Sequence, residues 1–299
     1  MKKCNVSRYC GGCSYQGLTY EKQLEIKQES MEKLLSSFHH VEKIIPCKTP
    51  YHYRNKVQMS FGYDENHKII CGYYLPDSHQ ILPVDSCQIA DEGMNDIFSS
   101  ILKIVIRTKT SVYDERSKKG FLRHVLIRSN HNNEYMVVLV TTSFHQKKAQ
   151  ILSQQINKYN PNVVSIIMNI NRKPTSMVLG NENITLYGKG EIEDRLCGLK
   201  FRISPSSFYQ TNRYQTQVLY EEAIRIADFN GNEILIDAYC GTGTIGLAAA
   251  RYVGKVYGVE SNRSALRDAF ANKKINGIEN IDFFCEDAGK YMERLAEKK

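Results

Sequence analysis

Along residues 18–38, apolar side chains fall at Tyr20, Leu24, Met31, Leu35 and Phe38, with Glu and Lys between them. Recurrence every three to four positions and their multiples marks one face of a helix, so this stretch predicts an amphipathic helix. From about 53 to 89 the pattern becomes strand-like. VQMSFGY and KIICGYY flank the polar turn Asp64-Glu65-Asn66, which predicts a β-hairpin. Two further strands are expected at 122–129 and 134–142, joined by Asn130-His131-Asn132-Asn133; a helix follows at about 145–158, then strands at 163–168 and within 184–203. Antiparallel pairs of this kind make residues 1–200 an α+β domain.

Beyond Pro205 the texture changes. Helical patterns at 211–227, 244–252 and 262–276 alternate with short apolar strands at 233–237, 255–259 and 281–284. Such alternation predicts a parallel sheet with crossover helices. The expected fold class is therefore α/β: a Rossmann-like domain over residues 201–299, preceded by the α+β domain over 1–200. No internal repeat is visible.

Composition narrows the class. At 299 residues, the chain is long enough for about two domains. With 42% hydrophobic and 24% charged residues and no low-complexity tract, it excludes disorder. The start, MKKCNVSRYC, lacks an apolar segment behind its lysines, and no run reaches the roughly 18 apolar residues of a membrane span. A cytoplasmic protein without a membrane partner is expected. The net charge of +8 is uneven: residues 1–200 hold 27 Lys and Arg against 19 Asp and Glu, residues 201–299 hold 13 against 13. The first part is thus suited to a polyanion, or carries only a solvated basic surface.

The second part holds a nucleotide-binding pattern. Ile234-Leu235-Ile236-Asp237 is a buried-strand signature running into Ala238-Tyr239-Cys240-Gly241-Thr242-Gly243-Thr244, where glycines let a ligand approach the backbone. Glu260 ends the next strand, where a carboxylate can accept from ribose hydroxyls. Gly241, Gly243 and Gly246 also satisfy G-x-G-x-x-G, so a nicotinamide or flavin dinucleotide fits the letters. Asp237 favours S-adenosylmethionine instead, because a carboxylate at the strand end suits a cationic methionyl group and does nothing for a pyrophosphate. Asp287, at the end of the following strand, is placed either to accept from an adenine amino group or as a solvated acid beside Glu286.

Nine cysteines without a secretory signal point away from a disulfide framework. Cys4, Cys10 and Cys13 form C-x5-C-x2-C, and Gly11 and Gly12 allow the chain to curl. Cys87 is the best fourth ligand, since Cys71 lies inside an expected strand. Four thiolates can hold zinc or a [4Fe–4S] cluster, and the spacing does not choose between them.

Taken together, these features resemble the bacterial RNA uracil-C5 methyltransferases of the 23S ribosomal RNA type, over nearly the whole chain. The likeness rests on the four cysteines, Tyr53-Arg54-Asn55-Lys56, the run from Ser204 through Phe208-Tyr209-Gln210-Thr211-Asn212, the 237–243 loop and Gly258-Val259-Glu260-Ser261-Asn262. It implies a [4Fe–4S] cluster on Cys4, Cys10, Cys13 and Cys87, with zinc as the lesser occupant. It also implies cofactor contacts from Gln210, Tyr239 and Glu260, with Asp287 as a further candidate, and packing of the 18–38 helix on the methyltransferase domain. In the family's reaction a cysteine thiolate adds to uracil C6, C5 takes the methyl group, and a base removes the C5 proton. The segment carrying that nucleophile and the base glutamate is expected after the region matched by 281–290, past Lys299, leaving no catalytic residue in this chain and the chain by itself inactive. The small β-barrel that opens many relatives is expected to be missing.

Cys240 and Cys285 are read as small packed residues rather than nucleophiles. Arg54, Lys56, Lys118, Lys119, Arg123 and Arg128 are the cationic candidates for RNA contact, with Tyr53 and Phe121 for stacking. A monomer acting on ribosomal RNA is expected. The competing readings are a transfer RNA substrate, a non-enzymatic RNA-binding or redox-responsive iron–sulfur protein, and a nicotinamide-dependent oxidoreductase.

Overall fold

A computed structural model describes residues 4–173 and 177–297. The first three residues of the expected α+β domain and the last two of the expected Rossmann-like domain lie outside the described residues. The chain opens with a single helical turn, α1 (Ser7–Cys10), and the amphipathic helix α2 (Tyr20–Leu35). Strands β1 (Lys56–Tyr63), β2 (Ile69–Tyr74) and β3 (Ile81–Pro83) lead to α3 (Glu92–Arg107); then come β4 (Leu122–Ser129), β5 (Tyr135–Thr141), α4 (Gln146–Tyr159), β6 (Val163–Ile170) and β7 (Glu182–Tyr187). These seven strands form one sheet in the order β3-β2-β1-β4-β5-β6-β7.

Two features depart from the sequence expectation. The sheet is not wholly antiparallel: β5 and β6 pair in parallel, because α4 is a crossover that returns the chain to the same end before β6 begins. Helix α3 was not expected at all, yet its buried Met94, Ile97, Phe98, Ile101, Ile104 and Val105 trace a helical stripe, and Asp91 caps it by accepting from the Gly93 N–H at 3.1 Å.

The rest of the chain forms the hairpin β8 (Ile192–Leu196) and β9 (Leu199–Ile203), then α5 (Arg213–Ala227), β10 (Ile234–Asp237), α6 (Thr244–Ala249) with a 3-10 turn (Ala250–Tyr252), β11 (Lys255–Val259), α7 (Arg263–Ile275), β12 (Ile281–Phe284) and α8 (Ala288–Ala296). Strands β10, β11 and β12 are parallel and adjacent in that order.

Every residue of β4 and β5 is buried, with no alternation, because the large sheet is covered on both faces. Helices α3 and α4 cover one face. On the other, Leu126, Met136, Val138 and Ile167 share a core with Phe201, Tyr209, Tyr220, Leu247 and Leu266. The hairpin β8–β9 belongs to this second core: the Arg202 and Lys200 N–H groups donate to Asn272 and Asn276 of α7 at 2.7 and 2.9 Å. A largely buried guanidinium, Arg213 at the start of α5, lies 3.9 Å from Asp91 and 3.7 Å from Asp194, joining the α3 cap to β8.

Helix α2 reaches α5 through an intervening segment. Tyr20 Oη accepts the Cys47 N–H at 2.6 Å and Gln28 the Ile44 N–H at 2.7 Å, while Gln215 of α5 donates to the Ile45 carbonyl at 3.0 Å. Among the described residues, no helix is long and apolar enough to cross a membrane.

Candidate cofactor and RNA site

The nucleotide loop is built where β10 ends. Gly241 and Gly243 adopt φ of +54° and +81°, conformations that L side chains rarely take, and a Cβ on Gly243 would also sit 3.0 Å from the Phe283 ring. This turn starts α6 and directs its first N–H groups back toward the strand ends. Asp237 Oδ2 accepts one of them, from Gly246, at 3.0 Å; Glu260, at the end of β11, accepts the Gly241 N–H at 3.1 Å and the Asn262 N–H at 2.7 Å.

Burial drives the Asp237 carboxyl up to about 6; the Gly246 bond opposes the rise and the nearby Glu260 charge adds to it. The buried Asp237 carboxyl and the Glu260 carboxylate flank an open glycine turn, a place suited to a cation, and nothing lies within 4 Å of a Cβ built on Gly241. Asp237, Gly241, Gly243 and Glu260 are thus brought together as the sequence pattern suggested. Tyr239 projects from the same loop, 83% exposed.

The remaining expected contacts are placed differently. Gln210 lies on the segment entering α5, along a cavity of about 390 Å³ shared with Ile45, Asn212, Gln215 and Leu219. Its position is fixed by its backbone: Asn55 Nδ2 donates to the Gln210 carbonyl at 3.0 Å, and the Asn55 N–H donates to Thr211 at 2.9 Å. Asp287 is the N-cap of α8, accepting from the Lys290 N–H at 3.1 Å, which occupies one of its oxygens in helix capping.

Three of the cationic and aromatic candidates for RNA are interior, contrary to expectation. Arg128 is 2% exposed and donates to the Ser207 carbonyl, so it holds the 204–211 segment from beneath. Arg123 is 3% exposed, with its guanidinium 4.6 Å from the Tyr113 ring and donating to the Lys173 and Asn171 carbonyls. Phe121 is also buried, under Lys148 and His145. Alternation along β4 gave no warning, because both of its faces are covered. Lys56 is pushed down to about 8 by burial and by the Arg128 charge, while Lys118 and Lys119 are exposed.

Cys240 is 5% exposed, and burial followed by the Asp237 and Glu260 charges pushes its thiol far above the ordinary range. It is held protonated under the loop, as a packing residue. Cys285 is exposed, with Sγ 3.8 Å from the Ser261 carbonyl.

Cys4, Cys10, Cys13 and Cys87 all line one cavity of about 30 Å³, together with Tyr73, Gln16 and Val84. Asn95 of α3 fixes Cys87 by accepting from its N–H at 2.9 Å and donating to its carbonyl at 3.3 Å. Burial raises the Cys13 thiol, Cys87, Cys10 and Cys4 raise it further, and Arg54 opposes them. Four thiols lining one small cavity are a donor set suited to a metal centre. Among the described residues, no three His, Cys, Asp or Glu side chains converge in metal-ligating geometry, so the four share a cavity without yet forming a coordination sphere. Cys71 stands apart inside β2, its thiol raised to about 12 by burial.

A parallel β10-β11-β12 sheet, a left-handed glycine turn and an acidic residue at the end of each of the first two strands define an α/β methyltransferase fold. The chain belongs to the tRNA (uracil-5-)-methyltransferase family, whose model matches residues 19–299. It is 39% identical to an RNA methyltransferase of Clostridium tetani over 99% of this chain and 65% of that protein. It is 38% identical to another from Staphylococcus aureus over 95% of this chain and 64% of that protein. The chain therefore spans just under two thirds of the length of these curated relatives. A crystal structure of Pyrococcus abyssi tRNA (uracil-54, C5)-methyltransferase in complex with S-adenosyl-L-homocysteine superposes with a TM-score of 0.75 at 27% identity, covering 92% of this chain and 64% of that one.

Proposed function

We propose that this chain binds S-adenosylmethionine and RNA for methylation of uracil at C5, with 23S ribosomal RNA as the substrate. The observation that carries the reading is the Asp237–Gly241–Glu260 cluster within a chain matched by the family over residues 19–299. Asp237 would face the cationic methionyl end, Glu260 the ribose, and Tyr239 and Gln210 the remainder of the cofactor and the target base. No residue of the chain is assigned as the nucleophile or the base. A transfer RNA substrate is the second reading, favoured by the superposition on the Pyrococcus abyssi enzyme.

The same reading places a [4Fe–4S] cluster on Cys4, Cys10, Cys13 and Cys87, which line one cavity. When bound, it would tie α1, the loop after it and the segment before α3 into one unit; zinc would serve the same purpose. Arg54 beside the cavity would offset the negative charge of the thiolates.

Calorimetric titration with S-adenosylmethionine, S-adenosylhomocysteine and NADH tests the cofactor: the first two are expected to bind, and binding of NADH alone would overturn the assignment. Methyl transfer from labelled cofactor is then measured, for this chain and for one extended by whatever reading frame follows Lys299, on unmodified ribosomal and transfer RNA carrying tritium at uracil C5. Tritium release with label uptake supports C5 chemistry, label uptake without release refutes it, and the RNA that is labelled decides between the two substrates.

A further inference from the structure

The end of the seven-stranded sheet remote from the glycine loop gathers exposed cations from three separate stretches of sequence. Lys118 and Lys119 lie in the turn between α3 and β4, Lys147 and Lys148 in the first turn of α4, and Arg172 and Lys173 in the loop after β6. Buried groups hold these stretches together. Arg123 donates to the Lys173 carbonyl at 2.8 Å and lies 3.7 Å from Glu115, which in turn pairs with Lys118 at 2.9 Å. Phe121 packs 5.6 Å from His145, with Lys148 Nζ 4.9 Å above its ring.

Acidic residues neutralise little of this surface. Glu115 takes Lys118 and Glu182 takes Arg172, while Lys119, Lys147 and Lys173 have no ion-pair partner among the described residues. The α4 first turn holds two lysines, no acid and no side-chain cap, the reverse of what the helix dipole favours. Positive charge is concentrated here at some cost to local stability, as a surface for an anionic partner would require.

Strand β4 measures the distance to the site. Leu122 stands at the cationic end and Arg128, six residues on, donates to Ser207 beside the Gln210 segment; at about 3.3 Å per residue the two ends are roughly 20 Å apart. We propose that Lys119, Lys147 and Lys173, with their neighbours, form a second docking surface for the phosphate backbone of the substrate RNA, separate from the site that holds the target base. This rests on the reading of the chain as an RNA-binding methyltransferase component and adds to it a requirement for length. At roughly 3.4 Å per nucleotide, about six nucleotides separate the two surfaces, so a short oligonucleotide reaches only one of them.

The test is binding, not turnover. Dissociation constants are measured for the whole chain and for a Lys119→Gln, Lys147→Gln, Lys173→Gln variant, with an unmodified transcript of about 60 nucleotides and a uridine-centred oligonucleotide of about seven, across a salt series. The expected result is a roughly 10- to 50-fold weaker grip on the transcript at low salt, a log–log salt slope shallower by about 2, and unchanged binding of the oligonucleotide. All three substituted residues are exposed, and an unchanged melting temperature confirms an intact fold. Equal transcript affinity in variant and wild type would overturn the proposal, as would equal weakening for both probes. Failure of the wild-type chain to bind either RNA would overturn the RNA-binding reading itself, an outcome distinct from both.

Discussion

Replacing Asp237 with Asn should make the free protein more stable while impairing cofactor binding. In the folded chain this carboxyl is raised from 3.8 to about 6, chiefly by burial. At 1.36 kcal/mol per unit, the ionised form is disfavoured by roughly 3 kcal/mol at neutral pH. The sign follows from linkage: a raised folded pKa adds stability below pH 3.8 that is lost as pH rises through about 6. Asn keeps an oxygen for the Gly246 N–H but carries no charge, so it should recover about 1 to 2 kcal/mol above pH 6, or a few degrees of melting temperature, and nothing near pH 4. The same change removes the carboxylate that faces the cationic methionyl group, and S-adenosylmethionine affinity should fall by about tenfold or more. Thermal unfolding from pH 4 to 8, with and without S-adenosylmethionine, measures both effects. A variant no more stable than wild type at pH 8, or one with an undiminished cofactor-induced shift, would refute the reasoning.

Two further outcomes are expected. His124, buried with Nδ1 3.0 Å from Ser60 Oγ, is lowered from 6.5 to about 4, first by burial and then by Arg123. Stability present above pH 6.5 should therefore be lost as pH falls through about 4, by roughly 3 kcal/mol in all; denaturant unfolding of His124→Gln should show this slope flattened, and an unchanged slope would assign the acid sensitivity to other groups. After anaerobic reconstitution with iron and sulfide, Cys87→Ala should lose bound iron while Cys71→Ala, altered inside β2, keeps it. Equal loss in both would remove Cys87 from the ligand set.

Local chemistry explains what could be read in advance. The alternation over 233–284 resolves into three parallel strands and their helices because each unit is short and its signals are adjacent: a run of apolar residues, a turn glycine, a helical stripe. The Gly241–Gly243 turn was equally legible, since positive φ favours glycine wherever it occurs. Helix α3 carried a stripe just as regular, together with its Asp91 cap, and these signals were sufficient to find it. The parallel pairing of β5 with β6 was harder to see, because two adjacent apolar strands read alike in either direction until the crossover α4 is weighed.

Sequence by itself determined the alternating strands and helices, the glycine turn with Asp237 and Glu260 beside it, and the cysteine spacing, because each depends on residues near one another in the chain. Tertiary structure alone decided that Arg123 and Arg128 are interior struts while Lys119, Lys147 and Lys173 stay exposed. Sequence had already singled out Cys87 as the fourth cysteine; the structure supplies the cavity that it lines with cysteines more than seventy positions away. A lysine or arginine has the same letter in solvent as under a sheet; only the covering of both faces of β4 turns one cation into a hydrogen-bonded core residue and leaves its neighbour for an anionic partner.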